Sequence, residues 1–461
     1  MESNGDLRRV GWIERDRAFY REIFFVALPV AFQQMINIGV NLMDTVMVGA
    51  LGETVLSASS LANQYYNLYY ILCLGISGGT CVLSAQYWGA GNRRMMREVW
   101  RLAMLLSAAS AVLFSLVTLC LPERIMSVYT ADPGIILEGA KYLRVTSAVF
   151  FFHGTSLIMV NLLRTAEVNF LGMPVSCVSF VLNIFFNYVL IYGKLGFPRM
   201  EIAGAALGTL ISRVAEFVIT FGYLARRGKR IGFCLRDLSG GLSKELLGQF
   251  RRTGLAPIVS DSLTVLGDNA LSVILGHMST AVISGQAITL ATMRFCMAFI
   301  MGLNNASSVL IGHEVGRGKR EAAQRKGKTL FLLSVAGGAL GGVLIWAVSP
   351  FIVGRYNLSP QAVDATMQMM LAMSLLMVFQ AAQSVMSKGI LRGGGDTAFL
   401  MFADLIFIWL LDVPFGYLAG LVCGLPPFWV FVCLKLDVIF KTFLCLWRLL
   451  GGKWIRNINR E

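Results

Sequence analysis

Charge is what this chain has least of. Asp, Glu, Lys and Arg make up 14% of its 461 residues, against 56% apolar ones, where a soluble domain carries about a quarter charged residues. A water-soluble globule is thereby excluded, and an integral membrane protein remains. Histidine is scarcer still, with three residues in all. His153 and His313 each lack a second ligand at metal spacing, so no metal is assigned. The nine cysteines include no C-x-x-C pair and lie mostly in apolar runs (Cys73, Cys81, Cys296, Cys433). They read as small packing residues rather than a disulfide or zinc framework. Catalytic signatures are missing too: no nucleophile elbow, Walker sequence, H-E-x-x-H or pair of catalytic carboxylates occurs in a soluble segment large enough to hold an active site. The glycine-rich "LRGGGDT" at 391–397 has neither the lysine nor the spacing of a phosphate loop, and it reads as a tight turn. An enzyme and a cofactor are therefore not expected. Without an ATP site, any transport must draw on an ion gradient or on the solute itself.

What the chain has in abundance is long apolar runs. Twelve are separated by charged or Pro/Gly-rich breaks, with centres near residues 36, 74, 110, 150, 180, 212, 264, 294, 339, 375, 408 and 438. Each approaches or exceeds the roughly 20 residues that a helix needs to cross hydrocarbon. None alternates with period two, so helices rather than barrel strands are predicted. Residues 1–22 are polar, and the apolar run after them reaches Val48. That run is too long for a signal-peptide core and lacks a small-residue cleavage site, so it is expected to persist as the first span.

The formal charge of +14 is unevenly placed. Roughly thirty of the forty Lys and Arg fall in the N-terminal tail, the even-numbered connections and the C-terminal tail, and about five in the odd-numbered connections. The positive-inside rule then puts both termini in the cytoplasm and makes this a multi-pass protein of the cell membrane. "GNRRMMREVWR" and "GRGKREAAQRKGK" face the cytosol, while "GETVLSAS" and "CGLPPF" face outward. With no aromatic or motif context, the basic loops are expected to meet anionic membrane lipids rather than nucleic acid.

The longest polar stretch, residues 226–252, divides the chain nearly in half. The expected organisation is a cytoplasmic tail over 1–22, an N-lobe of six spans over 23–225, the 226–252 linker, a C-lobe of six spans over 253–450 and a cytoplasmic tail over 451–461. Three landmarks recur in order: Val48-Gly49 with Leu275-Gly276, "GAGNRR" from Gly89 with "GRGKRE" from Gly316, and Arg164 with Arg392. Their separations are 227, 227 and 228 residues, a shared register that points to duplication. Six spans per half is an even number, so the repeat is parallel, about an axis along the membrane normal. Paired bundles of this kind suit a transporter better than a channel or an anchored enzyme.

Several polar residues stand where they are costly. Asp44 lies in "NLMDTVMVG", roughly 7–8 Å inside the span boundary at Gly49, where insertion costs about 2.5–3.5 kcal/mol. Asn37 and Asn41 precede it at i−7 and i−3, on one helical face. In the fifth span Asn183 and Asn187 are four apart, and Thr209 opens the sixth. A carboxylate removed from water is a candidate for taking up and releasing a proton, or for binding a small cation among amide and hydroxyl oxygens. Structural hydrogen bonds between spans are the plainer alternative.

The second half holds Asp261 and Asp268 at i, i+7 in its first span and Asp404 and Asp412 in its fifth. The repeat matches Asp268 to Asn41 and Asp44 to Leu271, so the halves have diverged in chemistry. Arg294 is expected as an ion-pair partner for one of these acids, making Asp261, Asp268 and Arg294 a candidate polar site. Methionines form helical stripes at Met293, Met297, Met301 and at Met370, Met373, Met377. Met293, Met297, Met370 and Met373 are therefore candidates for the wall of a substrate cavity, since flexible thioethers re-pack around varied guests; ordinary core filling is the alternative.

Taken together, "LPVAFQQMINIGVNLMDTVMVGALG", "QYWGAGNRR", "LNIFFNYVLIYGKLGFP", "IAGAALGT" and "KGILRGGGDT" resemble the multidrug and toxic compound extrusion (MATE) transporters along essentially the whole chain. The resemblance implies twelve helices in two six-helix lobes. It also implies alternation between inward and outward openings, and export of organic, often cationic or amphipathic, compounds against inflowing H+ or Na+. Asp44 matches the first-span acid on which coupling depends, with Asn183, Asn187 and Thr209 around it, and Pro29 matches the kink residue of the first helix. This chain departs from the pattern at Asn187, where some members carry aspartate, and at Thr264 or Val265, where one branch has an acid. The expected function is a monomeric secondary antiporter for small organic molecules. The runner-up is a lipid-linked oligosaccharide flippase of a related superfamily, which calls for further spans and a cationic cavity.

Overall fold

The computed structural model describes residues 7, 10–276, 280–356 and 359–457. Among them the chain is helical, with no strand. All twelve apolar stretches are occupied by helix. The first half runs α1 (Arg17–Gly49), α2 (Glu53–Gly89), α3 (Arg93–Cys120), α4 (Pro133–Thr146), α5 (Val149–Thr165), α6 (Gly172–Tyr192) and α7 (Glu201–Ile231). The second half runs α8 (Leu255–Gly276), α9 (Thr280–Gly316), α10 (Arg320–Val353), α11 (Pro360–Ser384), α12 (Thr397–Phe407) and α13 (Leu436–Leu450), with shorter helical turns completing the last spans. Among the described residues nine helices are long and apolar enough to cross a membrane. The α4–α5 pair, bent by 53°, makes a tenth. The twelfth stretch falls short because Leu434 and Lys435 break it into Pro427–Cys433 and α13.

The helices group into two compact units. One holds Phe32–Ser84 and Arg93–Gly248; the other holds Met1–Ala31, Ala85–Asn92 and Gln249–Glu461. The main division, between residues 248 and 249, falls within 226–252, while the start of α1 and the end of α2 group with the second half. The unit boundary in α1 follows Pro29, which lies inside the continuous helix. The α2 end is fixed by backbone proximity in its own unit. A Cβ added to Gly89 would lie 2.8 Å from the His313 Cα, and Gln86 Nε2 donates to the Gly393 carbonyl at 3.3 Å. Glycine is what lets two backbones come this close.

The duplication read from the landmarks is visible at single bonds. Gly91 and Gly318 close their helices with φ of +74° and +76°, and each following residue donates back five positions, Asn92 to Tyr87 and Lys319 to Glu314, both at 3.0 Å. This is the left-handed helix stop that glycine permits. The "LRGGGDT" turn repeats likewise: Asp396 N–H donates to Leu391 O at 3.1 Å, and Val168 N–H donates to Leu163 O at 3.0 Å. Arg164 meets Gln33, and Arg392 meets Asp261 through two bonds of 2.9 and 3.1 Å. The arginine and its partner are thus conserved in position between the halves while the partner changes from amide to carboxylate.

In the second unit both terminal segments dock at one end. Lys328 Nζ donates to Val10 O at 2.6 Å, and Glu14 N–H donates to Thr329 Oγ1 at 2.8 Å. Trp454, fully buried, covers Gly394 and donates to Gln324 Oε1 at 2.9 Å. Buried Asp396 accepts from Arg448 at 2.6 Å and forms an ion pair with Arg456 at 2.9 Å.

Candidate functional site

Asp44 sits a little over one turn from the end of α1 and is half-buried. Its Oδ1 accepts from Asn187 Nδ2 at 2.6 Å. Asn187 Nδ2 also reaches Asn183 Oδ1 at 3.4 Å, and Asn183 Nδ2 reaches Thr209 Oγ1 at 3.5 Å. A chain of amides and a hydroxyl thus links α1, α6 and α7 within one unit. Both asparagines are buried, one turn apart on one face of α6. α7 comes near them because Gly204 and Gly208 face α6: a Cβ at Gly208 would stand 3.1 Å from the Asn187 backbone nitrogen. A half-buried carboxylate that receives a charge-assisted bond of this length is held in place against α6.

Asn41 is not part of the chain. Its side chain is exposed, and Asn37 donates instead to Gln34 Oε1 at 3.4 Å. The shared face read from i−3 and i−7 spacing is real along the helix, but only Asp44 reaches α6.

The same unit holds polar groups that motif reading passed over. His153 is buried and stacked between Tyr66 and Tyr70, at interplanar angles of 20° and 6°, and its Nδ1 is 2.5 Å from the Tyr66 hydroxyl. On α7, one turn beyond Thr209, Arg213 Nη1 donates to Glu216 Oε1 at 2.7 Å. The signal for this pair was present in "GTLISRVAEFVITF", where two charges interrupt an apolar run at i, i+3.

In the second unit the expected partner of the acids is corrected. Asp261 pairs with Arg392 and Asp268 with Lys435 at 3.3 Å, while Arg294 is exposed on α9. The i, i+7 spacing of the two acids did put them along one helix, but the cations that meet them come from the turn after α11 and the break before α13. Lys441 lies between Asp404 at 2.8 Å and Asp437 at 2.9 Å, Ser260 donates to Asp404, and Asp412 accepts the Asp437 N–H at 2.8 Å. Met370, Met373 and Met377 are fully buried in the core of this unit, with Met293 and Met297 packed against it. The α11 stripe packs in this core, because that helix lies against α9 and α10.

The MatE family model matches residues 29–189 and 257–418, one segment in each half at the offset of the landmarks. The chain belongs to the MatE family. Over 438 residues it is 25% identical to a probable multidrug resistance protein NorM of Thermotoga maritima, covering 94% of this chain and 93% of that protein. Over 420 residues it is 23% identical to the multidrug resistance protein MdtK of Yersinia pseudotuberculosis, covering 89% and 91%. Among solved structures it is similar to a variant of the Vibrio cholerae MATE transporter VcmN, with a TM-score of 0.86 at 13% identity over 100% of both chains. A MOP superfamily transporter from Pyrococcus furiosus gives 0.85 at 18% identity over 98% and 99%. At such identities the structural likeness speaks for the fold, two matching bundles of membrane-crossing helices, and the family match carries the relationship.

Proposed function

We propose that this MatE protein is a secondary antiporter that exports small organic compounds, often cationic or amphipathic, across the cell membrane in exchange for H+ or Na+. The observation that carries the reading is the Asp44 carboxylate, set in an apolar span and held by the Asn187–Asn183–Thr209 chain. An ion bound there moves a conformational equilibrium only through unequal affinity for the two states, so Asp44 has to meet different surroundings in each. Pro29, two to three residues before the unit boundary in α1, is the proposed point at which that helix bends, since proline leaves a backbone carbonyl one turn earlier without its donor. The docking of both terminal segments at one end of the second unit supports a shared cytoplasmic location for them, and the chain is proposed to work as a monomer. Intramembrane Arg164, Arg213, Arg392 and Lys441 are each engaged by an acceptor on their own unit rather than gathered for a pyrophosphate, which favours the antiporter over a flippase.

The test is export of a fluorescent organic cation from reconstituted vesicles under imposed proton or sodium gradients. Asp44→Asn is expected to lower gradient-driven export by roughly 5–150-fold, the range of ordinary coupling free energies, while the protein still inserts and migrates as the wild type does. Undiminished export by that variant overturns the reading.

A further inference from the structure

The ion pair in the middle of α7 has no structural task that its geometry explains. Arg213 and Glu216 stand at i, i+3 on one helix, 2.7 Å apart, with Glu216 buried and Arg213 largely so. Arg392–Asp261 and Lys441–Asp404 tie different segments together; Arg213–Glu216 joins α7 only to itself. Charges at this depth are costly and mark ion paths or switches, and a buried pair is a poor source of net stability.

Its placement points to Asp44. Arg213 follows Thr209 by one turn on the same face, and Thr209 ends the hydrogen-bonded chain that begins at Asp44. The Arg213 charge acts on Asp44 and on Tyr66, Tyr70, Tyr142 and His153. Arg213 Nε and Asn187 Oδ1 are both buried without a hydrogen-bond partner, a spare donor on the cation and a spare acceptor beside the carboxylate. The repeat supplies independent support. Lys441 lies 228 residues beyond Arg213, the separation of Arg164 from Arg392, and its ammonium already serves two carboxylates at once.

We propose that Arg213 is the resident counter-cation of Asp44: Glu216 holds the guanidinium while Asp44 carries a proton, and the guanidinium turns to Asp44 when that proton leaves, which makes the exchanged ion H+ rather than Na+. One O–H bond forms on a carboxylate oxygen and later breaks; Arg213 and Glu216 keep their protonation throughout, and nothing is oxidised or reduced. A proton needs a single carboxylate oxygen, whereas a hard metal cation needs a shell of several oxygens. Asp44 faces an amide N–H from Asn187 and a fixed positive charge from α7, which repels a second cation. The titratable groups within electrostatic range of Arg213 are Asp44 of α1, Tyr66 and Tyr70 of α2, Tyr142 of α4 and His153 of α5. The inference rests on the antiport reading and names its ion.

Vesicles reconstituted with full-length protein decide it, with a fluorescent organic cation as cargo and either a pH gradient or a sodium gradient imposed. Wild-type export is expected to follow the pH gradient and to ignore sodium. The charge-balanced double variant Arg213→Gln/Glu216→Gln is expected to lose roughly ten-fold or more of proton-driven export and to acquire a response to sodium. Arg213→Lys, which keeps the charge, retains proton drive; a helix that merely needed the pair for packing would not separate these two variants by ion. Calorimetric titration of the wild type with sodium chloride is expected to show no binding. Sodium-driven export by the wild type, or unchanged proton drive in the double variant, overturns the inference alone. Wild-type export that responds to neither gradient removes the antiport reading and this inference together. Should the double variant fail to insert, the wild-type sodium arms still decide.

Discussion

At the scale of single residues, the acids of this chain separate by what meets them. Asp44 is met by an amide, Asp404 and Asp437 by one shared lysine, and Asp261 by an arginine whose counterpart in the first half is content with Gln33. That comparison assigns Asp261 to holding α8 against the turn after α11. Asp261→Leu, which removes the carboxylate opposite a buried guanidinium, is expected to cost about 3–5 kcal/mol. Asp261→Gln, which copies the first-half pair, is expected to cost less than half of that and to leave export intact. Thermal unfolding in detergent together with vesicle transport checks both, and loss of export by a well-folded Asp261→Gln protein would move this residue into the coupling machinery.

At the scale of helices, glycine positions set how close the elements come. Gly204 and Gly208 bring α7 onto α6, and without that approach Thr209 would not reach Asn183. Gly89 meets the His313 backbone, which cannot rotate away as a side chain can. Gly89→Ala is therefore expected to destabilise by about 1–3 kcal/mol through overpacking. Gly222 on α7 has open space where its Cβ would stand, so Gly222→Ala is expected to be neutral or to stabilise by roughly 0.5–1 kcal/mol through helix propensity. Melting temperatures of the two variants in one detergent test the contrast; equal shifts would show that the backbone approach is unimportant.

At the scale of the whole molecule, the charge pattern predicts an orientation with both termini in the cytoplasm. Cys120 and Cys423 are exposed and stand at connections expected to face outward, and Cys234 stands in the basic linker expected to face the cytosol. A membrane-impermeant thiol reagent added to intact cells is expected to label Cys120 and Cys423, and to reach Cys234 only after permeabilisation. The opposite pattern would invert the topology.

The run of span-length helices, the duplicated register and the candidate Asp44–Asn187–Asn183–Thr209 group were legible in the residues, because each rests on a local regularity: length in apolar runs, a constant offset, one-turn spacing on a helix. What met each buried charge was not. Arg392 rather than Arg294 opposes Asp261, the α11 methionines lie in a core, and Lys441 meets Asp404. Each is a contact between residues far apart in the chain, and helical periodicity orients a side chain without naming the helix across from it. Composition decided that the chain is built of apolar, span-length helices. Only the packing of one helix on another decided which carboxylates were met by a cation and which one by an amide.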